Sequence, residues 1–204
     1  MHDSFNKFNK NIERVKILGG FYSAICSLTT PALDPSDILR SQIVLVVSAM
    51  DAFIHDITRV GMLEISENKR PSTDKYNNFK ISILSLSRSF TGATFSECLE
   101  DEVRRSHGYL AFQQPGKISD ALNFFSSLDL WNSIGRKLGK DAKDLKNELS
   151  LIVQRRDKIA HEADSDPSYP NARWPITLPD VNHAINFIEL IGTEIYNLVT
   201  QANP

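Results

Sequence analysis

A chain of 204 residues is long enough for one sizeable hydrophobic core and short for two. Its 41% hydrophobic and 24% charged residues are ordinary for a globular protein, and a formal net charge of −2 excludes any global attraction for nucleic acid or anionic lipid, so either contact needs a local patch. Two cysteines, Cys26 and Cys98, form no CxxC motif and are too few for a disulfide scaffold, which points to a reducing compartment.

In chain order, Phe5, Phe8, Ile12, Val15, Leu18, Phe21, Ile25 and Leu28 recur at steps of three and four and predict a helix, with Gly19-Gly20 as the place where it bends or splits. The polar start MHDSFNKFNK has no apolar run, so no signal peptide is expected. TTPALDPSD (29–37) is turn chemistry, with Asp34 and Ser36 as candidate N-caps. The strongest helix runs from Ser36 to Glu67. Its middle is apolar nearly all round, as in a helix buried within a bundle, and Ser41, Ser48, Asp51, His55 and Thr58 form a polar stripe along it. The window IVLVVSAMDAFI (43–54) is too short to span a bilayer and carries an acid, so a cytoplasmic, membrane-free location is expected.

Residues 66–78 form a polar loop, and FKISILSLSRSF (79–90) alternates in part like a strand but has no evident partner, so it is assigned to helix. SECLEDEVRRSHGYLAF (96–112) predicts another helix, acidic at its start and basic near its end, and its RRSH run (104–107) reads as a solvated terminus. QQPGK (113–117) breaks the chain. Two short helices follow around 118–126 and 129–138, closed by Gly139. From Asp141 an amphipathic helix places Leu145, Leu149, Ile152 and Ile159 inside, 163–180 is an irregular loop with four prolines, and 181–200 forms the last helix. There is no internal repeat and no linker. The expected architecture is all-α: one helical bundle over 1–204.

The densest chemistry is QRRDKIAHEAD (154–164). Asp157 and His161 are four apart and share a helix face, so the carboxylate can accept one imidazole N–H and fix the tautomer. Arg156 and His161 are five apart, about 140° of helical rotation, and Arg155 and Lys158 add positive charge around them. A phosphodiester suits this set: arginine offers a planar fork of donors to phosphate oxygens, and imidazole takes or gives a proton near neutral pH. The alternative is a plain helix terminus whose cations complement the dipole. Between Arg136 and His161, eight cations face four acids, a local excess of four that fits contact with a few phosphates.

Asp51 and His55 form a second i, i+4 pair, on the most apolar helix, either as a hydrogen-bonded polar stripe or with Asp51 supporting the site from across the bundle. His2 and His183 have no partner pattern, and Trp131 and Trp174 are expected to pack. HEADSD (161–166) lacks the glycine and spacing of a calcium loop, so its acids are assigned to a loop and no metal or cofactor is expected.

RRDKIAHEAD resembles the signature of the HEPN superfamily, an arginine, usually followed by a polar residue, four to six positions before a histidine. VVSAMDAFIHDI (46–57), YLAFQQPGKISDAL (109–122), DLWNSIGRKLG (129–139) and LIVQRRDKIAHEADSDP (151–167) are similar, in that order, to the RiboL-PSP-HEPN branch. The recognisable core is 35–200, and 1–34 supplies an N-terminal helix and turn. The resemblance implies a symmetric homodimer that brings two copies of the motif into one cleft. It also implies a metal-independent endoribonuclease that uses the RNA 2′-OH as nucleophile, leaving 2′,3′-cyclic phosphate ends. Arg156 and His161 are then catalytic, Asp157 and Asp51 supporting, and Arg155 and Lys158 contact the substrate. Such proteins serve as toxins or effectors in bacterial anti-phage defence and stress responses, under a regulatory or antitoxin protein; other members keep the fold as non-catalytic binders of RNA, nucleotide or protein. HEPN toxins silenced by a nucleotidyltransferase often carry a tyrosine two residues after the histidine. Here that position is Ala163, which implies another mode of control.

Overall fold

The apolar spacing at the start of the chain becomes one unbroken helix, α1 (His2–Leu28), which buries Phe8, Ile12 and Val15. The computed structural model describes residues 1–201 apart from Pro31, Pro170 and Asn171, so parts of the expected turn at 29–37 and of the loop at 163–180 lie outside the described residues. The break expected at Gly19-Gly20 does not occur. Gly19 instead allows a close approach to α2 (Ser36–Ser66): a Cβ there would stand 3.2 Å from the Gln42 amide, which donates to the Val15 carbonyl at 2.8 Å.

α2 is the axis of the molecule. It buries Leu39, Ile43, Val46, Val47, Met50, Phe53, Ile54 and Ile57, positions that cover most of its circumference. Around it pack α1, α5 (Phe95–His107), α6 (Pro115–Leu122), α8 (Ala142–Glu162) and α9 (Leu178–Gln201), while α7 (Leu130–Leu138) packs on α8 and α9. α3 (Asp74–Asn77), α4 (Ile83–Ser87) and the 3-10 turn Arg88–Thr91 complete the order. Among the described residues there is no strand beyond an isolated bridge between Ser165 and Arg173, and no helix is long and apolar enough to cross a membrane. The all-α expectation holds. One core cluster runs from Phe8 through α2 to Val199. It depends on a close packing at Gly192, where a Cβ would meet the Phe8 ring at 2.5 Å.

Boundaries moved where local caps, or side chains of α2, satisfied the backbone. The helix expected over 96–112 starts at Phe95, set by a Thr94–Glu97 capping box, and ends at His107. Residues 109–112 leave it because Asp51 accepts the Phe112 N–H at 2.6 Å and His55 Nε2 lies 3.1 Å from the Leu110 carbonyl. Pro115 does not break the chain but opens α6, where its missing N–H costs nothing. The segment 79–90 is helical only from Ile83, behind a Ser82 cap, and a short helix stands within the expected loop at 66–78. The last helix begins at Leu178.

Glu102 ties α4 to α5. Only 1% exposed, its carboxylate accepts the Ser82 and Ser85 hydroxyls at 2.8 and 2.6 Å and also takes Arg105. Burial pushes this carboxyl up, but the hydrogen bonds from Ser85, Ser82 and Arg105 outweigh it and hold it at about 2, against an ordinary 4.5. A carboxylate held low stabilises the fold above its ordinary range and loses that contribution as pH falls from about 4.5 towards 2. Glu102→Gln is expected to flatten the acid limb of the stability curve in that window by on the order of 3 kcal/mol. An acid limb as steep as that of the wild type, in denaturation series at stepped pH, would refute this.

Candidate active site

The site is built on the last turns of α8. Gly139, at φ 64°, closes α7, and Asp141 caps the next helix by accepting the Lys143 N–H at 2.6 Å. Leu145, Leu149 and Ile152 then form the buried stripe of α8, and one further step along it is Arg156. The arginine therefore starts from the core side of the helix. Its side chain is only 17% exposed, and its Nε has no hydrogen-bond partner. The Asp157 carboxylate lies 3.3 Å from that Nε without the alignment of a hydrogen bond.

His161 stands in solvent on the last turn, with no polar partner among the described residues. The i, i+4 spacing that suggests an Asp157–His161 bond is not used; Asp157 turns to Arg156 instead. The Lys158 ammonium sits 5.0 Å from the centre of the Trp174 ring. Within one chain, Arg156 and His161 are separated by about 7.5 Å of rise and about 140° of rotation. They address different sides of the helix end.

Behind this turn lies a buried charge cluster. Ala163 and Asp164 both adopt left-handed backbone, with φ 50° and 56°. This sharp exit drives the Asp164 side chain inward until it is 0% exposed. Its Oδ2 accepts Arg40 Nε and Arg155 Nη2, each at 2.8 Å, while Oδ1 is buried without a partner. The same guanidiniums donate to the Trp174 carbonyl, and the Trp174 N–H returns to the Asp164 carbonyl at 2.9 Å. Arg155, expected at the substrate, is thus turned towards the loop. Burial lowers its pKa from the ordinary arginine value, against the opposing pull of Asp164.

Asp51 is at the middle of α2, where it receives Phe112 N–H and lies 3.9 Å from His55 Nε2. It holds the 108–114 connection rather than touching His161. Nearer the motif, a groove of about 520 Å³ runs between α2 and the end of α8, lined by Arg40, Ser41, Val44, Leu45 and Ile159. Among the described residues, no group of three or more His, Cys, Asp or Glu is placed to hold a metal ion.

Residues 9–201 match the RiboL-PSP-HEPN family. The chain belongs to that family. No curated protein and no solved structure matches it. Family membership points to an RNA-related function of HEPN type.

Two features of this HEPN domain escape spacing arguments. Arg40, Asp164 and Trp174 support the motif from three separate segments; the available hint was an aspartate just past a helix end, a residue type that tolerates left-handed backbone. His107 overturns the reading of RRSH as a solvated terminus. It is 5% exposed, packed edge-on against Phe79 and Phe112 and tilted against Phe124, because α5 turns that face onto the aromatic cluster. Trp131 packs as expected, with its Nε1 donating to the Pro115 carbonyl at 3.1 Å.

Proposed function

We propose that this HEPN protein is a metal-independent endoribonuclease, active as a homodimer and working in the cytoplasm as a toxin or effector of bacterial defence or stress response under a regulatory protein. The observation that carries the reading is the state of the motif. Arg156 is held on the buried stripe with unspent donors, and His161 is left free in solvent on the same helix end. A structural terminus has no need to spend a half-buried guanidinium in this way.

In this reading the RNA 2′-oxygen attacks the adjacent phosphorus, the bond to the 5′-oxygen breaks, and a 2′,3′-cyclic phosphate and a 5′-hydroxyl result. One proton leaves the 2′-OH and one reaches the departing 5′-oxygen; imidazole carries either. Arg156 offers its fork to the charge that grows on the phosphorane oxygens. A second copy supplies what the 140° separation withholds from one chain, since two motifs facing across a twofold axis surround a single phosphate. The groove with exposed Leu45 beside the motif supports that face as the dimer contact. Lys158 and the outward part of Arg155 contact flanking phosphates, and Asp157 and Asp51 act as supports.

The test is cleavage of mixed cellular RNA in EDTA with identification of the product ends. Cutting of RNA but not DNA, leaving cyclic phosphate, is the expected result, because DNA lacks the nucleophile. Strict dependence on a divalent ion would contradict the chemistry. The proximity of Asp157 to Arg156 favours a second reading, a non-catalytic RNA-binding module. Retained RNA binding without cleavage by any preparation would select it.

A further inference from the structure

Trp174 is mounted beside the motif without belonging to the core. Among the described residues, the core cluster takes Ile176 and Leu178 from this segment but not Trp174. The packing expected of this tryptophan is met only in part: the residue is half-buried, and its ring makes no ring–ring contact among the described residues. Its backbone is held firmly. The N–H donates to the Asp164 carbonyl at 2.9 Å, and the carbonyl accepts Arg40 at 2.9 Å and Arg155 at 3.2 Å. With these groups bonded and the indole Nε1 buried, what Trp174 shows to solvent is chiefly ring carbon. The Lys158 ammonium lies over the ring, 5.0 Å from its centre. Lys158 is exposed and forms no ion pair among the described residues: Asp157 is turned to Arg156, and Glu162, four residues on, does not engage it. Lys158 and His161 are i, i+3 neighbours, about 60° apart around the helix. A fixed flat ring, a flexible cation and the exposed imidazole therefore stand together at one side of the end of α8.

We propose that Trp174 is a stacking platform for an unpaired base of the RNA beside the phosphate at His161, and that Lys158 leaves the ring to take a flanking phosphate. The proposal rests on the RNA reading above, which it narrows to a single strand at the cut, because bases in a duplex keep their faces against one another. The exchange is favourable. A cation over an exposed ring is held more weakly than a stacked base, and the released ammonium gains a phosphate. Stacking needs no net positive surface, which suits a chain with a formal net charge of −2. Trp174 touches no reacting atom; as a positioning residue it fixes the register of the strand against the imidazole.

The experiment measures binding to the full chain carrying His161→Ala, in EDTA, by anisotropy of a short end-labelled oligoadenylate RNA. The same strand annealed to its complement is the paired control. The single strand is expected to bind and to quench tryptophan emission, and the duplex to bind more weakly. Trp174→Leu is expected to weaken single-strand binding about 5–150-fold with an unchanged salt slope, while Trp174→Phe, which keeps a stacking face, retains most of it. Lys158→Ala is instead expected to lower the salt slope by about 0.7, the share of one phosphate on a single strand. A merely structural role for Trp174 would not separate leucine from phenylalanine, nor single strand from duplex. No saturable single-strand binding, unchanged affinity in Trp174→Leu, equal weakening by leucine and phenylalanine, or an equal loss for the duplex would overturn the proposal. Failure of the nuclease reading looks different: wild type that cuts no RNA, with the quenching and the leucine–phenylalanine contrast intact, leaves the platform in place on a binding module.

Discussion

His161→Ala is expected to lower RNA cleavage by about 10²–10⁴-fold, the range for a positioned acid–base group, with stability unchanged within about 0.5 kcal/mol. The second half follows from geometry: the imidazole is exposed and bonds to nothing among the described residues, so its removal leaves no cavity and no orphaned partner. Arg156 behaves differently. With its side chain 17% exposed, truncation to alanine removes packed stem as well as charge, so some loss of stability accompanies the loss of rate. Arg156→Lys separates the two. It keeps the charge and most of the stem but loses the planar fork, and a large fall in rate with a nearly unchanged denaturation midpoint is the expected pattern. Single-turnover cleavage measured beside urea denaturation decides both cases. If His161→Ala cuts as fast as the wild type, the catalytic assignment is wrong.

Asp164→Ala is expected to destabilise the fold by about 3–5 kcal/mol, the cost of breaking a buried ion pair from one side. Without that carboxylate, Arg40 and Arg155 face each other as like charges, left with the Trp174 and Pro175 carbonyls, Ser36 Oγ and the exposed Asp37 carboxylate 3.8 Å from Arg40 Nη1. Alanine also bears the left-handed backbone at φ 56° less well than aspartate. Asp164→Asn keeps an acceptor at the same place and is expected to cost less, while still losing the charge. Because the cluster anchors the chain two residues beyond the exposed end of α8, cleavage is expected to fall in both variants even under conditions where they remain folded. Denaturation curves for the pair provide the check. A loss below about 1 kcal/mol for Asp164→Ala would mean that the cluster is incidental to stability.

The same two sites mark where local sequence runs out. Helix periodicity placed α1, α2, α8 and α9 to within a few residues because each carries a one-sided or all-round apolar pattern long enough to read. The motif RRDKIAH was legible for the same reason: it is contiguous and lies on a clean amphipathic helix. Asp164 was not, since its partners come from positions 40, 155 and 174, and no spacing along the chain connects them. His107 was misread because the charges around it, Arg104 and Arg105, point outward while the ring turns onto Phe79, Phe112 and Phe124. Gly19 was misread because a helix-breaking residue in isolation is a close-packing residue when another helix lies against it.

Sequence by itself determined the all-α class, the order of the long helices and the place of the Arg156/His161 motif, because these rest on periodicity and short-range spacing. Tertiary structure decided which polar groups are buried. It turned Arg155 towards Asp164, gave Asp157 to Arg156 rather than to His161, and assigned Asp51 to the Phe112 backbone. The physical reason is that burial and charge pairing are properties of surfaces meeting across the fold, and a buried ion is satisfied by whichever partner the packing brings within reach.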